Sequence, residues 1–360
     1  MPIVGRTIAV LSLFMMSSLL GMSQEMPSIP EHPSVVGVSD KVIGTSSFPA
    51  LAQAPPALAQ TPTTNDYRVT DLVQDFTGSL WVGSWAGLAR INPETGRILT
   101  RVPIPSRTIE SLVQDRVGRI WVGTFDGLVR VDPRTDEITA QTFKLPSNRV
   151  LALAIDGRGF LWAGTDRGLV MLSPDQGLIM TTVQELPGVS ANAMAVDRQN
   201  NLWVGTLNGL VKVDTASAFP KMRISDLPGQ TVQAVTLGPR GDLWLGTPAG
   251  VLVVDPVFGD LVRSVTAMRG KNVRTIAFAQ DGSVWVGTTQ GLFKLNPLNG
   301  QLLGQVPNLP SSRILSIAPD TGHKVWVGTS EGLGWVSQTT GEGNAHLGFV
   351  SPVVREARGY

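Results

Sequence analysis

The sequence predicts an all-β fold, a seven-bladed β-propeller with four antiparallel strands per blade, on three observations. One string, Trp-Val-Gly-Ser or Trp-Val/Ala/Leu-Gly-Thr, recurs at Trp81, Trp121, Trp162, Trp203, Trp244, Trp285 and Trp326, with spacings of 40 and then 41 residues. Six residues after each Trp stands a Gly followed by an apolar residue, from Gly87-Leu88 to Gly332-Leu333. Within each unit the apolar residues alternate with period two between short turns, and residues 66–350 hold no 3.6-residue pattern of helical length.

The unit from residue 109 shows how each strand is read. Ile109 to Gln114, Arg119 to Gly123, Leu128 to Val131 and Glu137 to Phe143 alternate apolar and polar residues, and Asp115-Gly118, Asp126-Gly127 and Asp132-Pro133 mark the breaks. Four strands in about 40 residues make one blade. The repeated Trp belongs to the second strand, where its ring is expected to fill the space between neighbouring blades. The Gly-Thr after it lets the hairpin pack closely, and the later Gly supplies a positive φ. Asp75, Asp115, Asp156, Asp197 and Asp320 are expected to accept their own turn amides. In the last unit the segment from Glu342 to Val350 takes the fourth-strand position, so blade seven completes itself and the ring closes by face packing on blade one; the alternative is an outer strand supplied from near Val35.

Composition limits the function. The 360 residues are 42% apolar and 16% charged with a net charge of +1, too little basic excess for a protein that binds by neutralising nucleic-acid phosphates. With Cys 0, there are no disulfides, thiolate metal sites or Cys nucleophiles. Arg6 precedes an uncharged apolar run from Thr7 to Met22 that ends in Gly21-Met22-Ser23, so residues 1–23 read as a cleaved secretory signal, with a retained anchor as the alternative. Residues 24–65, rich in Pro, Ala and Ser, read as a tether, and residues 351–360 as a tail. The expected location is periplasmic or secreted.

The string Asp-x-x-Gly-x-Ile-Trp-Val-Gly-Thr-x-x-Gly-Leu at Asp115 to Leu128 resembles the two-component regulator propeller repeat, and the resemblance extends over residues 66 to about 350. It implies a periplasmic sensor propeller that reads a ligand, often a glycan fragment, for a membrane kinase; no output segment follows within the 360 residues. More distantly the unit resembles streptogramin lyase blades, whose chemistry needs His and Glu around magnesium. The three His residues, His32, His323 and His346, do not converge on one mouth of a channel. No Gly-x-Ser-x-Gly elbow, phosphate loop or EF-hand run is present. No cofactor, metal site or catalytic residue is therefore expected; a lyase would have to use Glu110 with Arg274, or loop carboxylates.

Variation between units locates the candidate site. Thirteen residues before each Trp stand Arg68, Thr108, Arg149, Ser190, Thr231, Asn272 and Arg313, and two positions later Thr70, Glu110, Leu151, Asn192, Gln233, Arg274 and Leu315. These ring the channel mouth and suit a polar or anionic ligand. The turns between second and third strands add Trp85, Phe125, Asp126 and Arg167 on the same face, with Trp85 and Phe125 expected as an exposed platform for a sugar ring or a partner protein. The expectation is a monomeric binding module for a glycan, a small polar or anionic ligand, or a membrane sensor kinase or other envelope protein, with a purely structural assembly adaptor as a further alternative.

Overall fold

The computed structural model describes residues 66–357 apart from 107 and 143. The expected signal and tether, and the alternative strand near Val35, lie outside the described residues. Seven four-stranded antiparallel sheets follow one another along the chain, at 69–102, 109–142, 150–183, 193–224, 234–264, 273–305 and 314–345, each with its strands in sequence order. In blade two the strands are Ile109–Gln114, Ile120–Thr124, Gly127–Asp132 and Glu137–Thr142. The first strand of each blade packs beside the first strand of the next, and Ile314–Thr321 packs beside Val69–Gln74, so the ring closes.

Burial follows from that placement. Second strands such as Ile120–Thr124 are enclosed along their whole length, whereas the outermost strand Glu137–Thr142 alternates exposed and half-buried residues. A strand covered on both faces must be apolar throughout, and an edge strand need be apolar on one face only. The core is divided into clusters that each join two blades: Trp81 packs with Ile109, Ile120 and Val131 of blade two, Trp203 with Val232, Leu243 and Val254 of blade five, and Trp326 with Val69, Leu80 and Ile91 of blade one.

The glycine after each Trp serves this inter-blade contact. A Cβ on Gly123 would stand 2.6 Å from Val150 Cγ1 on the next blade and 2.4 Å from Ser111 Oγ. The second repeated glycine is required by the turn itself, with φ of 128° at Gly127, where Thr124 Oγ1 accepts from the Asp126 amide (3.1 Å) and donates to the Gly127 carbonyl (3.0 Å).

The Asp row does more than cap its turns. Asp197 Oδ1 accepts from the Gln199 and Asn201 amides at 3.0 and 2.7 Å, and Oδ2 accepts from Trp203 Nε1 at 3.0 Å. Asp75, Asp115 and Asp156 likewise reach the indoles of Trp81, Trp121 and Trp162. Asp320 departs from the expectation: it is in the left-handed region (φ 54°) and accepts from the Gln280 amide of blade six at 2.6 Å, while Trp326 Nε1 donates to the Thr321 carbonyl. The cause is a register irregularity between Ala318 and Thr321 that displaces the turn.

Blade seven supplies its own fourth strand, Gly343–Ala345, which is shorter than the segment from Glu342 to Val350 expected there. The residues after it turn under blade one: His346 Nε2 meets the Gly96 carbonyl at 2.6 Å, Arg101 Nη2 donates to the Gly348 carbonyl at 3.0 Å, and buried Phe349 joins the Trp326 cluster. Residues Pro352–Ala357, read as a tail, form a short helix.

Candidate functional site

One end of the ring gathers the loops that lead into the first strands and the turns between second and third strands. Backbone bonds tie the two sets together: the Trp85 amide donates to the Arg68 carbonyl (3.0 Å), Phe125 to Thr108 (3.1 Å), Thr289 to Asn272 (3.1 Å) and Ser330 to Arg313 (3.1 Å).

A β-bulge sets the residues of the mouth. In blade one Val69 pairs with Ser84 and Asp71 with Gly83, so Thr70 is left out of the ladder. The same skip occurs at Glu110, Leu151, Arg274 and Leu315. In blades four and five the equivalent Asn192 and Gln233 lie just ahead of the paired strands Ala193–Val196 and Ala234–Leu237. A bulge frees a side chain from the strict alternation of the strand and re-aims it.

Around Glu110 the structure brings together residues from four blades. Arg149, Arg274 and Arg68 all act on its carboxylate, and the Trp85 indole N–H faces it. Burial nevertheless wins and holds the Glu110 pKa above the ordinary glutamate value, against the pull of Arg149, the indole, Arg274 and Arg68. Arg274 is held below the ordinary arginine value, first by the surrounding protein and then by Arg313, with Glu110 opposing both. Trp85 Nε1 is enclosed without a hydrogen bond of good geometry, as are Gln233 Oε1 and Asn272 Oδ1 on the same end.

The aromatic pair differs from its expected form. Trp85 and Phe125 are half-buried, packed edge to face with centroids 5.9 Å apart and planes at 84°. Arg68 stands over the Trp85 ring at 3.9 Å and Arg149 over Phe125 at 4.5 Å. These guanidiniums occupy ring faces that a stacked sugar would need, so the pair is a support for two cations rather than an exposed platform.

The remaining predicted residues sit nearby with separate roles. Arg68 also pairs with Asp66 at 3.2 Å, and Asn192 Oδ1 accepts from Ser190 Oγ at 2.6 Å. Asp126 and Arg167 are exposed at turn tips, fastened through their amides to Thr124 Oγ1 and Thr165 Oγ1. Arg313 is exposed at the entry to blade seven, its amide bonded to Ser311 Oγ at 3.1 Å. His346 lies in the outer seam between blades seven and one, and His323 in the first turn of blade seven on the opposite end.

Sequence reasoning missed Asp71. It is surrounded by protein on the innermost strand, where burial raises its pKa to about 7 against two amide bonds, from Leu112 at 2.7 Å and Leu72 at 2.8 Å. The signal was available: its row holds Ser111, Ala152, Ala193, Ala234, Thr275 and Ser316, so Asp71 is the carboxylate among small residues.

A cleft of about 440 Å³ opens on the opposite end between blades five and six, against Pro239, Trp244, Leu298 and Leu303. Its Lys294 is already paired with Asp281 at 2.9 Å. It concentrates no uncompensated charge, whereas the mouth does, and the mouth is the better candidate. Among the described residues there is no group of three or more His, Asp or Glu that could hold a metal ion, and no helix long and apolar enough to cross a membrane.

Comparison with known proteins agrees with this architecture. Residues 103–126, 144–167 and 185–208 match the family model described as "Two component regulator propeller". Each stretch runs from the loop before a first strand to the turn after a second, the two segments that build the mouth. No curated protein matches the chain. Similar solved structures include the extracellular domain of the hybrid two component system BT3049 from B. thetaiotaomicron, at 20% identity and TM-score 0.64, covering 75% of this chain and 40% of that one. The extracellular domain of the one component system BT4673 from the same organism matches at 18% identity and TM-score 0.55, over 77% of this chain and 48% of that one. Virginiamycin B lyase from Staphylococcus aureus matches at 15% identity and TM-score 0.63, over 74% of this chain and 93% of the enzyme. The chain thus spans less than half the length of the two sensor ectodomains it matches.

Proposed function

Because the chain carries two component regulator propeller repeats, we propose that it is a recognition part of an extracytoplasmic sensing system, which takes a ligand or an envelope protein at the channel mouth. The observation that carries the reading is the gathering of Arg68, Arg149 and Arg274 about one half-buried carboxylate, Glu110, faced by the Trp85 indole N–H. Charged and polar groups held together without mutual satisfaction gain most when a ligand completes them. The sensor ectodomains among the similar structures support the same role.

A lyase reading draws on the match over 93% of virginiamycin B lyase. The histidines that such chemistry would use stand away from the mouth, and Glu110 lies in the field of three guanidiniums rather than beside a base.

The test is crosslinking of the exported protein in cells, followed by mass spectrometry, with wild type beside the Trp85→Ala, Arg149→Glu double variant. Capture of a defined envelope protein by wild type alone is the expected result for a recognition subunit. Equal capture by both proteins would move the partner site to another face.

A further inference from the structure

We infer that the mouth is built for a small hydroxylated carboxylate, gripped by guanidinium forks and not stacked on aromatic rings. This rests on the mouth being the ligand site, and three independent features point to the ligand's chemistry.

The first is the use already made of the aromatic pair. Trp85 and Phe125 lie edge to face, and each presents a face to a guanidinium, Arg68 at 3.9 Å and Arg149 at 4.5 Å. An arginine laid on an aromatic ring keeps its N–H edges free in the plane of the fork, which is the geometry that receives a carboxylate bidentately. The rings therefore orient cations.

The second is charge. Arg68 has Asp66 as an ion-pair partner at 3.2 Å. That leaves Arg149 and Arg274 acting on Glu110, with Arg313 close enough to Arg274 to repel it. An incoming carboxylate relieves this repulsion; a neutral ligand leaves it in place.

The third is a pair of enclosed acceptors without partners, Gln233 Oε1 and Asn272 Oδ1. A bare inorganic anion answers the arginines and leaves the two amides unsatisfied. Hydroxyls next to the carboxylate donate, and so meet both.

Titration calorimetry of the purified protein tests this with tartrate, glucuronate, glucose and inorganic phosphate as probes. The expected result is saturable binding of tartrate, glucuronate or both, about tenfold or more tighter than glucose or phosphate, and weakened about tenfold by Arg274→Gln. Arg274→Lys, which keeps the charge and loses the fork, should recover only part of the loss. An unchanged melting curve for both variants shows that they fold. Equal binding of tartrate and glucuronate assigns the site to hydroxy acids in general; binding of glucuronate alone assigns it to sugar acids. Glucose binding as tightly as glucuronate, phosphate binding in preference to both acids, or no heat from any probe overturns the inference. In the last case, a partner captured by crosslinking in wild type alone would leave the recognition role standing and remove only the carboxylate.

Discussion

The indole of Trp203 donates to Asp197 Oδ2 at 3.0 Å, and the same carboxylate closes the turn that leads into the tryptophan's own strand. One buried side chain thereby fixes both the hairpin and the ring that fills the seam to blade five.

Two substitutions separate these roles. Trp203→Ala empties a fully buried site and should cost about 3–5 kcal/mol. Asp197→Ala keeps the ring but strips the indole and two turn amides of their acceptor, at about 1–3 kcal/mol. Chemical denaturation would measure both, and a midpoint unchanged by either would mean that the repeated pair is not core.

Blade six offers the reverse experiment. Ala279 stands six residues before Trp285, where blades one to four have the carboxylate, and its turn keeps the same backbone bonds, Ala279 amide to Ser283 carbonyl and Gly282 amide to Ala279 carbonyl. Ala279→Asp should therefore stabilise the protein, by about 1 kcal/mol. A lowered melting temperature would show that Asp281, already bonded to the Ser283 amide, repels the newcomer.

Binding at the mouth should be lost in the Trp85→Ala, Arg149→Glu double variant with little change in melting temperature. Trp85 is only half-buried, and neither residue belongs to the seam clusters. Trp85→Ala alone should weaken binding less, because Arg68 keeps its charge and its Asp66 partner while losing the ring beneath it. Equal losses in the single and double variants would show that Arg149 adds nothing.

Asp71 gives the stability a pH dependence of definite sign. Its folded pKa, about 7, lies above the ordinary value of 3.8, so between these limits the folded state holds the proton more tightly than the unfolded chain does. This group's contribution is most favourable below pH 4, declines as pH rises from about 4 to 7, and is at its least favourable above 7. Asp71→Ser, which copies Ser111 of blade two, should flatten that slope in melting experiments across the window. A slope that survives the substitution would assign it to Glu110, the other carboxyl of the mouth whose pKa burial raises.

Much of this architecture is legible in the sequence because it is repeated. Trp, Gly and Asp at fixed offsets announce strand, close contact and turn, and the blade-two strands fall within a residue of where alternation puts them. Single events are harder to read. The half-buried state of Trp85 escapes the pattern because a cation–π contact joins residues 17 apart through the fold, which no periodicity records. Asp320 has the right spacing and the wrong partner because a local register irregularity swings it toward blade six. The bulges at Thr70 and Glu110 leave no trace in a pattern of polar and apolar residues, yet they determine which side chains meet in the mouth.

Those bulges also separate the letters of recognition from the frame that displays them. A side chain in a ladder is constrained by its cross-strand neighbours, so changing it disturbs the sheet. Glu110, Leu151, Arg274 and Leu315 have been released from that constraint. The ring can therefore be rewritten at these places, blade by blade, without renegotiating the seams, and a different message can be spelled on an unchanged wheel.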